Sequence, residues 1–257
     1  SNDCLPLTHL TQYLVQIKIK HSAKIYFSNV KQIEYQVIVA LADTFSLHFY
    51  LVEGVDAALQ IKITVIMPLK FAVVCSSNQN RSMEAHNFMS KRGLIIKSFG
   101  SGAQVKLPGP SLDRPNIYTF DTSYEYMYKD LIARDQNLYT QNGVLHMLDR
   151  NRRIKEKPER FQDCRDRFDI VFTVEERIFD QVLEDLDNRD KKTNELVHII
   201  NIDVADNPED ATLGAFMLCD LGQKMEAVDD LDNEIDEILT EYESKIKRPI
   251  LHAVSFY

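Results

Sequence analysis

The chain is poor in the features that mark several classes of protein. Its 257 residues include only eight Gly and eight Pro, which excludes a collagen-like, low-complexity or disordered chain. The four cysteines, at positions 4, 75, 164 and 219, form neither a C-x-x-C pair nor a Cys/His metal pattern. We therefore expect free thiols in a reducing compartment and no structural zinc.

A broad excess of positive charge is also lacking. The first 66 residues hold equal numbers of acidic and basic side chains, so the formal net charge of −9 lies in residues 67–257. Such an acidic domain offers no basic surface that could neutralise phosphates along a strand. We expect no direct binding to nucleic acid.

Long apolar runs are absent from the sequence. The most apolar stretch, Val37–Val52, contains Asp43 and His48 and ends at Glu53, short of the ~20 residues that cross a bilayer. The start of the sequence has none of the features of a secretory signal. We expect no membrane partner and a chain that acts in the cytosol or the nucleus.

Residues 1–66 carry strand-like runs at Leu14–Ile19 and Gln36–Leu41 but no motif with recognisable chemistry. Met67-Pro68 then precedes a segment with regular signals. We interpret residues 1–66 as an N-terminal extension of unknown role, or as a gene-model artefact. Residues 67–257 are the predicted functional domain.

From Leu69 onward, apolar runs typical of buried strands alternate with amphipathic helical stretches. The predicted strands are Phe71–Val74, Leu94–Phe99, Asp169–Val174 and Val197–Val204. The predicted helices are Met83–Arg92, 122–135, 138–148, 175–188, 206–228 and 229–247, with a short helix near 159–167. Gly100–Pro115 is expected to be a loop and Arg150–Lys157 a basic, solvated connector. The pattern predicts an α/β fold of three layers, in which helices flank a mainly parallel sheet and the site lies beyond the carboxyl ends of the strands.

One predicted loop carries a chemically specific pattern. Cys75–Ser82 lies between a buried strand and the start of a helix, with a thiol six residues before the guanidinium of Arg81. Backbone N–H groups in such a loop can cradle a tetrahedral dianion at the positive end of the helix. The same surroundings favour a thiolate, Ser82 can donate to it, and Arg81 can hold two phosphate oxygens. The alternative is a buried, inert Cys75 beside a surface arginine.

This motif, Cys-x5-Arg-Ser after a first strand, resembles that of the low-molecular-weight protein tyrosine phosphatase fold. The fuller run Cys75–Asn87 (CSSNQNRSMEAHN) is similar to the RNA polymerase II carboxy-terminal-domain serine phosphatases of the cleavage and polyadenylation machinery. Further similar runs are Val105–Pro110 (VKLPGP), Leu138–Asn151 (LYTQNGVLHMLDRN), Pro158–Phe161 (PERF) and Asp206-Asn207 before Gly214-Ala215-Phe216. The resemblance covers Met67–Tyr257.

The resemblance implies a two-step phosphatase that uses no metal or other cofactor. Cys75 is the implied nucleophile, and Asp206, on the loop after the last central strand, is the implied acid that protonates the departing serine oxygen. Asp203 is the alternative acid, and Asp206 could instead cap a helix. The residues implied to bind the phosphate are Ser76, Ser77, Asn78, Gln79, Asn80, Arg81 and Ser82. Among them, Asn78 is expected to shape the loop through a left-handed backbone, and Asn80 stands where the tyrosine-phosphatase relatives have a second cysteine.

The implied substrate is the fifth-position phosphoserine of the YSPTSPS heptads, with the following Ser-Pro bond in the minor cis form. Residues implied to bind this peptide are Lys106, Leu107, Pro108, Tyr139 and Met147. Without the resemblance, Leu107–Pro110 is an ordinary surface loop and Met147 an ordinary core residue. We expect three histidines, at 86, 146 and 198, to be packed structural residues.

Three other functions stay open from the sequence. They are a tyrosine phosphatase, an arsenate reductase that would need Cys164 or Cys219 as a resolving thiol, and a mainly structural subunit of the 3′-end processing complex. The expected partners are the phosphorylated tail of RNA polymerase II and a symplekin-like scaffold. The expected location is the nucleus, with the cytoplasm as a second compartment.

Overall fold

The computed structural model describes residues 12–18, 24–26, 48–54, 64–65, 68–111 and 113–257, and the chain divides into two compact units, Ser1–Pro68 and Leu69–Tyr257. The strands of the first unit are β1 Gln12–Lys18, β2 Lys24–Tyr26, β3 His48–Gly54 and β4 Thr64–Val65, in an antiparallel sheet ordered β3-β1-β2-β4. The strand predicted at Leu14–Ile19 agrees with β1 through Lys18, and the run Gln36–Leu41 lies outside the described residues. None of the helices in the described ranges is long and apolar enough to cross a membrane.

The second unit is built on a sheet of five strands. These are β5 Lys70–Cys75, β6 Ile95–Gly100, β9 Ile170–Thr173, β10 Leu196–Ile202 and β11 Ile250–Phe256, in the order β11-β10-β9-β5-β6. All of them are parallel except β11, which pairs antiparallel with β10. The predicted mainly parallel sheet is therefore confirmed, with one antiparallel edge that the sequence pattern did not predict.

Helices cover both faces of this sheet, as predicted for a three-layer fold. They are α1 Arg81–Lys91, α2 Tyr124–Gln141, α3 Val144–Ile154, α4 Glu176–Asn188, α5 Pro208–Glu226 and α6 Leu231–Ile246. Successive side chains of a strand point to opposite faces. Phe71 and Val73 of β5 accordingly pack with α1, α5 and α6, whereas Ala72 and Val74 pack with α4.

The predicted loop at Gly100–Pro115 is wrong. Its middle part forms strand β7, Val105–Ser111, which pairs antiparallel with β8, Arg114–Tyr118, across an irregular register. Pro108 is tolerated because a two-stranded hairpin leaves edge positions without ladder partners. Gly109 is required by close approach, since a Cβ there would overlap the carbonyl oxygen of Arg114. The hairpin packs with α2 and α3 in a third apolar cluster, which Met83 of α1 also joins.

The predicted basic connector at Arg150–Lys157 is also wrong in its first half. Helix α3 continues through Ile154, so Arg150 lies on a helix and is only 13% exposed. The helical stretches predicted at 122–135 and 138–148 correspond to α2 and α3 with shifted ends. The break expected after residue 135 is a kink within α2, where Asp135 has φ −165° and ψ 92°.

The histidine predictions divide between two outcomes. His198 is 3% exposed and bonds to His252 and Asp232, and His86 bonds through Nδ1 to Ser98 Oγ at 2.9 Å, so both are packed as predicted. His146 is exposed on α3, and that part of the prediction is wrong. The prediction placed His146 on an apolar helix face, but the buried face of α3 is formed by Val144, Leu145, Leu148 and Asn151.

Burial of His86 has a consequence for stability. Desolvation, and then the nearby charge of Lys155, lower the pKa of His86 from 6.5 to about 4. Between these two pH values the unfolded chain binds a proton that the folded protein does not, so the free energy of unfolding decreases as pH falls through this window. The free energy of unfolding, measured with urea, should fall between pH 7 and pH 4. We expect this fall to be smaller by about 1–3 kcal/mol in His86→Gln than in the parent. An equally steep loss in the variant and the parent would contradict the assignment.

Candidate active site

The segment between β5 and α1 lies at the centre of the carboxyl edge of the sheet. After β5 the chain moves to β6 on one side, and later to β9 on the other, so β5 and β9 flank the point where the strand order reverses. Ligands of open α/β sheets bind at such a point. The ends of β9 and β10 bring residues 174–175 and 203–206 to the same edge.

The thiol of Cys75 is 3% exposed and has a defined partner. Its Sγ lies 3.0 Å from Ser82 Oγ, and Asn78 Nδ2 donates to the same hydroxyl oxygen at 3.0 Å. Once Cys75 is ionised, the sulfur only accepts, so the hydroxyl hydrogen of Ser82 is directed at it. The predicted contact between Ser82 and the sulfur is present in this geometry.

The loop is held from outside through its carbonyl oxygens. Tyr124 Oη donates to the carbonyl of Asn78 at 2.6 Å, and both Arg150 Nη2 and Asn151 Nδ2 donate to the carbonyl of Gln79 at 2.8 Å. Asn78 has φ +53°, the left-handed backbone expected there. Among the backbone hydrogen bonds of the described residues, none begins at an N–H of segment 76–81. These N–H groups are therefore available to an anion.

The guanidinium of Arg81 is 6% exposed and almost fully bonded. Nη1 donates to the carbonyl of Val204 at 2.9 Å and of Val174 at 3.4 Å, while Nη2 donates to Glu175 Oε2 at 3.2 Å and Asp206 Oδ2 at 3.3 Å. Nε is buried and has no partner. A buried donor without a partner is costly, and an anion bound at the loop would satisfy it.

Asp206 and Asp203 have different environments. Asp206 is 56% exposed and bonds to Arg81 and to Asn80, whose Nδ2 lies 3.1 Å from Oδ1. Asp203 Oδ1 accepts instead from the backbone N–H of Glu176 at 3.0 Å and from the side chain of Asn201. The first of these bonds holds Asp203 at the start of α4. The helix cap considered for Asp206 belongs to its neighbour Asn207, which caps α5. These contacts favour Asp206 over Asp203 as the acid.

An open cleft of ≈ 520 Å³ gives access to this arrangement. Ser76, Arg81, Glu175 and Asp206 are among its lining residues. Among the described residues, no group of three or more His, Cys, Asp or Glu side chains is placed to hold a metal ion. Three cysteines in this part of the chain, Cys75, Cys164 and Cys219, are free.

The residues implied to bind the peptide lie on the hairpin side of the loop. Lys106 is exposed, and its backbone N–H donates to Ser77 Oγ at 3.2 Å; Pro108 is also exposed. Leu107 and Tyr139 are buried in the third cluster, at 1% and 3% exposure, and Met147 packs half-buried against it. Lys106 and Pro108 therefore offer surface to a substrate in this conformation, and the roles of the other three stay predictions.

Four residues that shape the site were missed in the sequence. They are Tyr124, Arg150 and Asn151, which hold the loop carbonyls, and Glu175, which holds Arg81. Burial raises the pKa of Tyr124 well above its usual range, so its hydroxyl stays a neutral donor. Burial lowers the pKa of Arg150, and the charge of its partner Glu84 opposes that shift. For Arg150 and Asn151, the available sequence signal was the polar run in which they lie, on helix α3.

A buried thiol and a buried guanidinium on one loop, beside a carboxylate at an α/β cleft, form the arrangement that cysteine-based phosphatases use. Residues 69–257 match the family model described as Ssu72-like protein, and the chain belongs to this family.

Its relatives carry consistent names. The RNA polymerase II C-terminal domain phosphatase SSU72 of Danio rerio is 63% identical over 190 residues, which cover 74% of this chain and 98% of that protein. The Homo sapiens protein of the same name is 60% identical over the same shares. One similar solved structure is a crystal structure of D. melanogaster Ssu72 with Symplekin, bound to a cis peptidomimetic CTD peptide with phosphoserine at the fifth position. It matches with 53% sequence identity and a TM-score of 0.73, and the match covers 75% of this chain and 100% of that chain.

The contribution of the hydrogen bonds that hold the loop carbonyls can be tested at Arg150. Arg150→Ala removes one donor from the carbonyl of Gln79 and leaves Glu84 without its ion-pair partner. We expect vanadate to bind about tenfold more weakly and the free energy of unfolding to fall by about 1–3 kcal/mol. Arg153→Ala is the matched control, because that arginine on the same helix is 67% exposed. Unchanged vanadate affinity in Arg150→Ala, measured by calorimetry, would contradict this role of Arg150.

Proposed function

We propose that this chain is a protein serine phosphatase that acts on the C-terminal domain of RNA polymerase II through a phosphocysteine intermediate. The observation that carries the proposal is the single constellation of Cys75, Arg81 and Asp206 around one anion-binding loop. The family supplies the substrate class, because its relatives are named as phosphatases of that domain.

In the first step, Cys75 Sγ attacks phosphorus in line with the serine oxygen. The S–P bond forms as the P–O bond to serine breaks, and the proton of Asp206 passes to the departing serine oxygen. Charge in a loose transition state lies on the equatorial oxygens. The N–H groups of segment 76–81 and the unpartnered Nε of Arg81 are the donors positioned to stabilise it.

In the second step, Asp206 acts as a base. It removes a proton from water as the water oxygen attacks phosphorus, the S–P bond breaks, and inorganic phosphate and the Cys75 thiolate are released. Ser82 supports this thiolate as a leaving group through its hydroxyl. The two steps use the thiol of Cys75 and the carboxyl group of Asp206, and the second step consumes one water molecule.

The proposed substrate is the fifth-position phosphoserine of the heptad, with its Ser-Pro bond in cis. The relative from D. melanogaster was crystallised with a cis peptidomimetic of such a peptide. Lys106 and Pro108 are the proposed exposed contacts, and Leu107, Tyr139 and Met147 are proposed to shape the slot from behind. The same relative was crystallised with Symplekin, and we propose a symplekin-like scaffold as a partner of this chain. The proposed place of action is the nucleus.

For residues 1–66 we propose an accessory role outside the catalytic unit. The family match begins at residue 69, and the first compact unit ends at Pro68. A chain that starts at Met67 is therefore expected to retain activity.

The nucleophile is tested by Cys75→Ser assayed on a heptad peptide phosphorylated at the fifth-position serine. We expect a loss of roughly 10³-fold or more in kcat/KM, because the hydroxyl is a far poorer nucleophile in this site. Cys164→Ser is the matched control, because that half-buried free cysteine has no role in the proposed reaction, and we expect it to keep full activity, with or without EDTA.

Two further readouts separate the proposal from its alternatives. Addition of a prolyl isomerase is expected to raise turnover when the cis isomer limits the rate. An active Cys75→Ser protein, or equal turnover of phosphotyrosine peptides, would contradict the proposed function.

A further inference from the structure

Asn80 occupies a helix-capping position without capping the helix. It is the residue before α1, and asparagine there normally accepts a hydrogen bond from a backbone N–H of the first turn. Its side chain makes no such bond. The capping contribution of about 1 kcal/mol is therefore absent, and the amide is directed elsewhere.

The amide of Asn80 instead contacts the proposed acid. Nδ2 donates to Asp206 Oδ1 at 3.1 Å, a contact between residues 126 positions apart in the chain. The other carboxylate oxygen, Oδ2, is 3.3 Å from Arg81 Nη2. The next residue, Asn207, is fixed by capping α5. One oxygen of Asp206 thus accepts from an amide and the other accepts from the guanidinium of Arg81.

This pairing distinguishes the two oxygens chemically. An amide NH₂ only donates, so the oxygen that it contacts must accept and cannot carry the acid proton in that contact. In this structure Oδ2 also accepts, from Arg81 Nη2. That donor is the one that a bound phosphate would take up, whereas the amide of Asn80 would stay on Oδ1. With phosphate bound, Oδ2 is therefore the oxygen left free to carry the acid proton.

We propose that Asn80 is a positioning residue for the general acid: it holds Asp206 Oδ1 and so presents a protonated Oδ2 to the oxygen of the leaving serine. This inference rests on the proposed function and adds the residue that orients its acid. A surface role in stability does not explain the contact, because an exposed polar pair of this kind contributes little to folding.

The experiment compares two leaving groups on the full chain. Serine leaves as an alcohol and needs a proton, whereas p-nitrophenolate leaves readily without one. The ratio kcat/KM covers the steps up to departure of this group. For Asn80→Ala we expect a loss of about tenfold on the phosphoserine heptad peptide and under about threefold on p-nitrophenyl phosphate. The Tm is expected to stay unchanged, because no capping bond is lost.

A double-mutant cycle with Asp206→Ala completes the test. On the Asp206→Ala background, Asn80→Ala is expected to cause no further loss on the phosphoserine peptide, because the two residues act through one contact. Equal losses on both substrates, or a full additional loss in the double variant, would overturn the inference and place Asn80 in phosphate binding. If Asp206→Ala itself fails to discriminate between the leaving groups, the acid assignment fails, and the proposed mechanism fails with it.

Discussion

The outward orientation of the carbonyl groups in one loop is the constraint on which this site depends. A phosphate needs inward N–H groups, and a peptide unit that turns its N–H inward must turn its carbonyl into the protein. These buried carbonyls need donors. The carbonyl of Asn78 accepts from Tyr124, and the carbonyl of Gln79 accepts from Arg150 and Asn151. The hairpin and helices α2 and α3 therefore support the catalytic loop from the side away from the phosphate site.

The sheet supplies the second half of the arrangement. Arg81 starts α1 directly after the loop, yet its guanidinium bonds to carbonyls at the ends of β9 and β10 and to Glu175 and Asp206. One side chain thus ties the nucleophile loop to the strand ends that carry the acid. The sheet fixes the end of β10, and the contacts of Asp206 with Arg81 and Asn80 hold the acid beside the nucleophile loop.

Sequence reasoning reached the parts of this site that are contiguous in the chain. A buried strand, a loop with Cys75 and Arg81, and a helix follow one another, so local pattern alone located the loop. Asp206 is far away in sequence, and only the family resemblance connected it. Arg150 was missed because it lies in a run of arginines and its partners, Glu84 and the carbonyl of Gln79, are 66 and 71 positions away in the chain. The hairpin was missed because Pro108 and Gly109 are typical of loops.

The central claim is that Cys75 carries the phosphoryl group between two steps. Its most direct test is rapid quenching of the Asp206→Asn variant with a phosphoserine heptad peptide, followed by mass spectrometry of the peptide that contains Cys75. Without the carboxylate base, hydrolysis of the intermediate slows, and we expect the mass of one phosphoryl group on Cys75. Peptide turnover in which Cys75 never carries that mass would contradict the account.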